Sequence, residues 1–316
     1  MKKNLVILGG GESGVGAALL GKHLGYNVFL SDKGELKDKY RNKLIENEIY
    51  FEEETHTLSK ILNADLVIKS PGIPNTAPII QQIHEKNIQI ISEIEFASQY
   101  TDAKIIAITG SNGKTTTATL VYQILKDAGC KVALAGNIGN SFAELVVKNT
   151  YEYYVLEISS FQLDDVVSFK PYIAILLNIT PDHLDQYDYK LERYARSKFR
   201  ITENQSEEDY FVYNFDDDNV LELIKDINTK AKKVPYSMSE NVNEGSFADD
   251  EKVTMNFPDH VELPVSEFSL KGKHNISNTM AAATVANILK IRKETIKRSL
   301  YDFRAVEHRL EFVLKV

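Results

Sequence analysis

The sequence predicts an α/β protein built from two parallel-sheet units in tandem. Short β-branched runs alternate with helical patterns, which is typical of parallel sheets covered by helices. Two glycine-rich turns, Gly9–Gly14 and Thr109–Thr116, each follow a predicted strand and precede a predicted helix. The length of 316 residues is enough for two domains of roughly 150 residues each.

The first unit is predicted to be a Rossmann-like domain over residues 1–94. Short apolar runs predict its strands, and apolar residues at helical spacing predict its helices. The predicted strands are Asn4–Leu8, Asn27–Leu30, Asp65–Ile68 and Ile88–Ile91. The predicted helices are Gly14–Leu24, Lys37–Glu46, Thr76–Glu85 and, as a link to the second unit, Glu93–Ala103.

The second unit, over residues 95–303, is predicted to be a P-loop ATPase-type α/β domain with a mainly parallel sheet. Its predicted strands are Lys104–Thr109, Lys131–Ala135, Tyr153–Glu157, Tyr172–Asn178 and Tyr210–Asn214. Its predicted helices are Thr115–Ala128, Leu191–Thr202 and Ile276–Leu289. The acidic, polar region Ser237–Glu267 fits either short strands or a surface insertion.

The pattern of Glu307–Val316 predicts a strand, and the sequence stops there.

The composition excludes several classes of protein. With 43% hydrophobic and 26% charged residues, the chain is neither disordered nor collagen-like. The net charge of −8 argues against a nucleic-acid partner. The single cysteine excludes a disulfide within the chain and fits a reducing compartment. The longest apolar run is far below the ~20 residues that span a bilayer, so we expect a soluble cytoplasmic protein that does not bind membranes.

The first glycine turn predicts a nucleotide diphosphate site. Gly9–Gly14 fits the pattern G-x-G-x-x-G, in which glycines let the backbone approach a pyrophosphate at a helix N-terminus. Asp32, after the next strand, is placed to accept a hydrogen bond from a ribose hydroxyl. The motif alone is also compatible with a tight turn that binds nothing, or with NAD. A domain of about 95 residues is short for a full dinucleotide fold, which favours another nucleotide.

The second glycine turn predicts a P-loop for a nucleoside triphosphate. Lys114 would reach the β- and γ-phosphates, and the Thr115 hydroxyl would face Mg²⁺. The loop departs from the strict pattern, because Ile108 stands where the first glycine is expected and Gly110 takes over its role. The predicted ATP-binding residues of this loop are Gly110, Ser111, Asn112, Gly113, Lys114, Thr115 and Thr116.

Three further side chains are predicted near the same sheet edge. Glu157 ends a strand, at the position where P-loop proteins carry the acidic residue that holds the metal ion. His183 lies in the turn after the next strand, where an imidazole can ligate a metal or approach a phosphate. Lys198 lies on a mostly apolar helix face, so its amine either reaches water along the helix or belongs to a site. Asn275 is either a helix N-cap or, with Asn278, an adenine contact.

Together these motifs resemble the Mur ligases, the ATP-dependent amide-forming enzymes of peptidoglycan precursor synthesis. The resemblance covers the whole chain and is carried by Thr109–Thr116, Thr180–Asp185, Ser197-Lys198 and Lys273–Asn278. The segment Glu157–Leu163 resembles that of the member that adds D-glutamate.

The resemblance implies a reaction in two steps. ATP phosphorylates the L-alanyl carboxylate of UDP-N-acetylmuramoyl-L-alanine to an acyl phosphate. The amine of D-glutamate then attacks, which yields an amide, ADP and phosphate. Such chemistry requires positioning and charge neutralisation more than a protein nucleophile.

The resemblance also implies a role for each candidate residue. Lys114 and Thr115 would hold the ATP phosphates and a first Mg²⁺ with Glu157, while His183 and a carbamylated Lys198 would hold a second Mg²⁺. Adenine would contact Asn275 and Asn278, and Arg309 would approach the nucleotide. The UDP-linked substrate would contact Glu12, Ser13, Gly14, Asp32, Ser70, Pro71, Gly72, Asn137 and Ser159.

Other functions stay open at this point. A sister ligase that adds another amino acid would share most motifs, a non-catalytic nucleotide-binding module would share the loops, and a dehydrogenase would bind NAD at Gly9–Gly14. The resemblance further implies that residues 304–316 begin a C-terminal domain that is otherwise absent from this chain. For the ligase we expect a monomer whose residues 1–316 bind substrate but turn over poorly, because that third domain would close over the site.

Overall fold

The computed structural model describes residues 2–303, which fold into two β-sheets with helices packed against them. This confirms the predicted α/β class, with a Rossmann-like part followed by a P-loop part. The predicted strand Glu307–Val316, the expected start of a third domain and Arg309 lie outside the described residues.

The first sheet is parallel throughout. Its strands are β1 (Asn4–Leu8), β2 (Asn27–Ser31), β3 (Tyr50–Glu52), β4 (Leu66–Lys69) and β5 (Ile90–Ile91). They are ordered β3-β2-β1-β4-β5. The helices that accompany them are α1 (Glu12–His23), α2 (Asp38–Glu46), α3 (Leu58–Ile61) and α4 (Pro78–Glu85).

The second sheet has nine strands. They are β6 (Lys104–Thr109), β7 (Val132–Gly136), β8 (Tyr153–Glu157), β9 (Ile173–Leu176), β10 (Tyr210–Asn214), β11 (Lys232–Ser237), β12 (Ser246–Ala248), β13 (Lys252–Met255) and β14 (Val261–Pro264). Their order is β14-β13-β12-β11-β10-β9-β6-β8-β7, and only the pairs of β13 are antiparallel. The sheet is therefore mainly parallel, as predicted.

Helices connect these strands and continue after them. They are α5 (Glu93–Ser98), α6 (Lys114–Asp127), α7 (Phe142–Lys148), α8 (Ser160–Asp164), α9 (Leu191–Phe199), α10 (Asp218–Leu223), α11 (Lys273–Ile288) and α12 (Lys293–Asp302). Short 3₁₀ turns lie at Leu184–Tyr187, Arg200–Thr202 and Val265–Glu267. Within residues 2–303, no helix has the length and apolarity needed to cross a membrane.

The innermost strands are apolar at consecutive positions because both of their faces are covered. In β1, Leu5 and Ile7 belong to one buried cluster, while Val6 and Leu8 belong to another. The first of these clusters continues into the second sheet's half, where α1 packs against α7. The predicted division at residue 94 into separate domains stays a prediction.

Several elements differ from the sequence prediction. Ser237–Glu267 forms β12, β13 and β14, so the alternative of a surface insertion is wrong. The predicted strand Tyr172–Asn178 is shorter, because the backbone beyond Leu176 turns to hydrogen-bond the P-loop. The link helix ends at Ser98, well before the predicted Ala103.

Candidate active site

The P-loop between β6 and α6 requires glycine at two positions. Gly110 has φ +153° and lies so close to the residue that follows β9 that an added Cβ would be 3.0 Å from the Leu177 Cβ. Gly113 has φ +85°, and an added Cβ would be 2.3 Å from the Asn278 Oδ1. Ile108, by contrast, is fully buried inside β6. The loop therefore begins after Thr109, which explains the departure from the strict motif.

The carboxylate of Glu157 connects the P-loop with the segment that follows β7. Glu157 ends β8 and is 2% exposed. Its Oε2 accepts a hydrogen bond from the Thr115 Oγ1 at 2.7 Å, and its Oε1 accepts one from the Asn137 Nδ2 at 3.1 Å. Thr115, predicted to bind ATP, and Asn137, predicted to bind the UDP-linked substrate, thus donate to the same buried carboxylate.

Two lysines converge on the P-loop backbone. The Nζ of Lys114 donates to the carbonyl oxygens of Gly110 and Ser111, both at 2.9 Å. The Nζ of Lys198 donates to the same Gly110 carbonyl, also at 2.9 Å. The predicted triphosphate loop is therefore lined by two amines of different helices.

Lys198 is buried in this structure. It is 2% exposed, and its Nζ lies 4.5 Å from the centre of the Tyr194 ring. Burial, together with the charge of Lys114, lowers the pKa of Lys198 to about 7. The alternative of a lysine that reaches water along its helix is wrong, since the amine itself is enclosed.

The segment after β9 holds the P-loop from the other side. The Ser111 Oγ donates to the Thr180 carbonyl at 2.9 Å and lies 3.1 Å from the Tyr194 hydroxyl oxygen. The Asn112 backbone N–H donates to the Asn178 Oδ1 at 2.8 Å. Through these contacts, Ser111 and Asn112 hold the P-loop in its observed shape. Thr116 lies in the first turn of α6.

His183 lies at the open side of the same region. Its backbone is left-handed, with φ +49°, and its side chain is 57% exposed. The Nε2 lies 3.6 Å from the Asp182 Oδ2, and the ring packs edge-on against Phe161. Within residues 2–303, no group of three or more His, Cys, Asp or Glu side chains is arranged to hold a metal. The predicted second metal site, which includes Lys198, stays a prediction.

A cavity of about 290 Å³ brings several of these residues together. It is lined by Pro71, Gly72, Lys114, Asn137, Ser159, Ser160, Phe161, Asp182, His183, Gln186, Tyr194 and Lys198. Residues that follow β4 of the first sheet thus share one cavity with the P-loop lysine. The predicted substrate residues Pro71, Gly72, Asn137 and Ser159 belong to it.

Ser159 has a local role besides lining the cavity. It is the N-cap of α8, where its Oγ accepts from the Gln162 backbone N–H at 3.3 Å. The Gln162 side chain accepts in return from the Ser159 backbone N–H at 3.0 Å, which completes a capping box. The position is therefore held rigidly at the cavity wall.

The glycine turn of the first sheet is tightly packed. Gly9 has φ +95°, and the Oγ of Ser70 donates to its carbonyl at 3.4 Å. An added Cβ at Gly14 would lie 1.9 Å from the Gly9 carbonyl oxygen. Ser13 lies beside it in the first turn of α1.

The polar groups of this turn already have partners. The Asp32 carboxylate accepts from the backbone N–H groups of Gly10 at 2.5 Å and Gly34 at 2.7 Å. Glu12 accepts from the Tyr40 hydroxyl at 2.8 Å. A cavity of about 740 Å³ opens beside Gly9 and Asp32 and also reaches Gly72. Gly72 therefore lines both this cavity and the one at the P-loop.

The two asparagines of α11 occupy different positions. The Asn275 Nδ2 donates to the Lys271 carbonyl at 2.9 Å. The helix begins at Lys273 after Gly272, so the alternative of Asn275 as N-cap is wrong. Asn278 is 8% exposed and packs against the P-loop glycine.

Five residues that line the P-loop cavity were not predicted as site residues from the sequence, namely Ser160, Phe161, Asp182, Gln186 and Tyr194. Tyr194 has the helical spacing of a core residue, so its polar contact could not be read from the pattern. Asp182 precedes His183 in a turn rich in acids, and only the folded turn selects it. The roles of all the candidate residues stay predictions.

Comparison with known proteins places these features in a family. The Mur ligase middle-domain model matches residues 108–286, and the MurD N-terminal domain model matches residues 4–78. The UDP-N-acetylmuramoylalanine--D-glutamate ligase of Christiangramia forsetii is 52% identical over 317 residues, which cover 100% of this chain and 71% of that protein. The enzyme of the same name from Bacteroides fragilis is 48% identical over 99% of this chain and 71% of its own length.

Solved structures show the same fold. The UDP-N-acetylmuramate:L-alanyl-gamma-D-glutamyl-meso-diaminopimelate ligase of Neisseria meningitides has a TM-score of 0.68 at 18% identity, covering 97% of this chain and 100% of that one. The UDP-N-acetylmuramate-alanine ligase MurC of Thermotoga maritima has a TM-score of 0.59 at 22% identity, covering 96% of this chain and 69% of that one.

Proposed function

Because this chain belongs to the Mur ligase family, we propose that it carries the ATP-dependent ligase chemistry that joins D-glutamate to UDP-N-acetylmuramoyl-L-alanine. The observation that carries the proposal is the Glu157 carboxylate, which accepts hydrogen bonds from Thr115 of the P-loop and from Asn137. The predicted ATP residues and the predicted muramoyl residues therefore adjoin. An acyl phosphate forms only where both substrates are held in contact.

The phosphate-facing groups of this chain neutralise charge during transfer. On binding of ATP, the Nζ of Lys114 leaves the Gly110 and Ser111 carbonyls and donates to the β- and γ-phosphate oxygens. The P-loop N–H groups and the N-terminus of α6 bind the same phosphates. The γ-phosphoryl group passes from ATP to an oxygen of the L-alanyl carboxylate, and ADP is released. The neutral amine of D-glutamate then attacks the acyl carbon, inorganic phosphate leaves, and the amine loses a proton to give the amide.

The residues at the P-loop fit a divalent metal that prefers oxygen ligands. The Thr115 Oγ1 and the Glu157 Oε2 are 2.7 Å apart and face the loop that would hold the phosphates. These two residues would hold Mg²⁺, whose charge would offset that of the transferring phosphoryl group.

Lys198 fits a second metal only after modification. An amine that donates to a carbonyl is not a metal ligand, but a buried amine with a lowered pKa is a good nucleophile toward CO₂. The resulting carbamate is an anion with two oxygens. With His183, it would hold a second Mg²⁺ beside the cavity that both residues line.

The UDP-linked substrate would extend from one cavity to the other. UDP would occupy the larger cavity beside Gly9 and Asp32, and the L-alanyl end would reach Asn137 and Ser159 in the smaller one. Gly72 lines both cavities and marks the route between them.

The test is phosphate release from ATP with UDP-N-acetylmuramoyl-L-alanine and a panel of amino acids. We expect a low rate of release that D-glutamate stimulates and that L-glutamate or a diamino acid does not. Preference for a diamino acid would support a sister ligase instead. Thermal protection by NAD, and none by UDP compounds or ATP, would support the dehydrogenase alternative.

The remaining expectations belong to this proposal. The enzyme would act in the cytoplasm as a monomer, in the synthesis of peptidoglycan precursors. Low turnover by residues 1–316 is part of the proposal, and its test is the rate of the matched relative from Bacteroides fragilis under the same conditions. Equal rates would contradict it.

A further inference from the structure

Lys69 is a charged residue buried between the two sheets. It ends β4 and is 3% exposed. Its Nζ lies 2.8 Å from the Asp165 Oδ2 and donates to the Ile73 carbonyl at 3.1 Å. Burying an ammonium ion is costly unless it is paired and hydrogen-bonded, and here it is both.

The partner of Lys69 belongs to the half of the molecule that holds the second sheet. Asp165 directly follows α8, and its backbone carbonyl accepts from the Ser92 N–H at 3.1 Å. Its carboxylate is 13% exposed. The ion pair therefore connects β4 of the first sheet with the end of α8.

The segment that Lys69 holds is the one shared by both ligand cavities. Ser70–Ile73 follows it directly, and Gly72 lines both the cavity beside Asp32 and the cavity at the P-loop. The hydrogen bond to Ile73 closes this segment into a loop, and the ion pair ties the loop to α8. The N-terminal end of α8 carries Ser159 and Phe161, which line the P-loop cavity.

We propose that Lys69 and Asp165 are positioning residues that set the distance between the two cavities for a ligand that spans them. The pair fixes Ser70–Ile73 against α8, so the wall that meets the UDP end and the wall that meets the L-alanyl end of one ligand keep a fixed separation. This inference rests on the proposed function. Rigid placement matters most for a spanning ligand, because a ligand that contacts one half alone is insensitive to how the halves are placed.

The competing explanation is that the pair only attaches the two halves to each other. The chain offers a matched control for it. Lys43 of α2 and Glu144 of α7 form another ion pair between the two halves, with the Nζ and the Oε2 2.5 Å apart. Neither residue lines the cavity beside Asp32 or the cavity at the P-loop.

The test compares the double variant Lys69→Met/Asp165→Asn with the control Lys43→Met/Glu144→Gln. Both double variants remove two charges together, so no lone buried charge is left behind. Calorimetry on residues 1–316 measures Kd for UDP and for UDP-N-acetylmuramoyl-L-alanine.

For Lys69→Met/Asp165→Asn, we expect the Kd for UDP-N-acetylmuramoyl-L-alanine to rise about tenfold or more, as loss of preorganisation predicts. The Kd for UDP should change by less than about threefold, and the control should shift neither value by more than that. Asp165→Glu, which keeps both charges and lengthens one side chain, should give a smaller loss of the same kind. It serves as the second variant if the double variant does not fold.

Equal losses for both ligands, or equal losses in the control variant, would overturn the positioning role. So would unchanged binding by the Lys69→Met/Asp165→Asn variant. If the unsubstituted chain binds UDP but not UDP-N-acetylmuramoyl-L-alanine, the proposed function fails and this inference fails with it. The behaviour of the unsubstituted chain therefore separates the two failures.

Discussion

Lys198 combines deep burial with a hydrogen bond to the P-loop backbone, and its pKa is lowered to about 7. A substantial fraction of the amine is therefore neutral near physiological pH and able to add CO₂. We expect a protein-bound carbamate signal in the ¹³C NMR spectrum after equilibration with ¹³C-bicarbonate. The signal should be absent from Lys198→Ala and present in Lys190→Ala, an exposed lysine near the start of the same helix. A signal that survives Lys198→Ala would contradict the assignment.

Gly113 is expected to be irreplaceable for two separate reasons. Its φ of +85° disfavours any side chain, and an added Cβ would lie 2.3 Å from the Asn278 Oδ1. Gly129 has φ +84° but no atom within 4 Å of an added Cβ, so it isolates the first reason. Gly129→Ala should lower the free energy of unfolding by about 1 kcal/mol, the usual cost of a left-handed alanine.

Gly113→Ala should lower the free energy of unfolding by more than Gly129→Ala does. It should also weaken ATP binding, because the added Cβ would displace Asn278 or the loop. Chemical denaturation measures the free energy of unfolding, and calorimetry with ATP measures the affinity. Equal destabilisation in the two variants with unchanged ATP affinity would show that the Asn278 contact is unimportant.

Among the elements, α5 and α7 meet at a buried carboxyl group. The Glu93 Oε1 accepts from the Ser141 Oγ at 2.6 Å and from the Ala143 N–H at 2.7 Å. Burial raises the pKa of Glu93 from 4.5 to about 7, although these hydrogen bonds oppose the shift. The folded state therefore binds a proton more tightly than the unfolded chain.

The sign of the resulting pH dependence follows from this. The contribution of Glu93 to stability is complete below pH 4.5 and is lost as the pH rises to about 7, a change on the order of 3 kcal/mol. Denaturation measures the free energy of unfolding of the unsubstituted chain and of Glu93→Gln at each pH. The difference between these two free energies should shrink, or change sign, as the pH rises from 4.5 to about 7.

Glu95→Gln provides the contrast. Burial also acts to raise the pKa of Glu95, but hydrogen bonds led by that from Ser168 lower it on balance. Its contribution should instead be present above the unfolded pKa and be lost as the pH falls. A stability difference between the unsubstituted chain and Glu93→Gln that is flat from pH 4.5 to 7 would refute the assignment for Glu93.

The elements that sequence patterns predicted well are those buried on both faces. β1, β6 and β8 are apolar runs with a paired strand on either side, and their predicted bounds match the structure. Short edge strands such as β3 and β14 lack such a run, because β3 has no buried residue and β14 has one. Their existence depends on pairing with a neighbour, which periodicity alone does not reveal.

The same contrast holds for the candidate site. The spacing of glycine and lysine predicted the P-loop, because the backbone of such a loop requires glycine and the phosphates that it binds require a lysine. The burial of Lys198 and the ion pair of Lys69 with Asp165 depend on contacts between elements distant in sequence. No local pattern reports such contacts.

At the scale of the whole molecule, the two sheets are joined by a shared core and by ion pairs across their boundary. One buried cluster contains residues of both halves, from Val15 in α1 to Phe142 in α7. Gly16 lies so close to α7 that an added Cβ would be 1.8 Å from the Ser141 Oγ. This packing holds the cavity beside Asp32 and the cavity at the P-loop in a defined relation, as a ligand that spans both requires.

The central claim is that one UDP-linked ligand spans both cavities with its acyl end beside Glu157. The most direct measurement is calorimetry of residues 1–316 with UDP, UDP-N-acetylmuramoyl-L-alanine and NAD, each with and without ATP. We expect UDP-N-acetylmuramoyl-L-alanine to bind more tightly than UDP, to bind together with ATP, and NAD not to bind. Binding of NAD with no binding of either UDP compound would contradict the account.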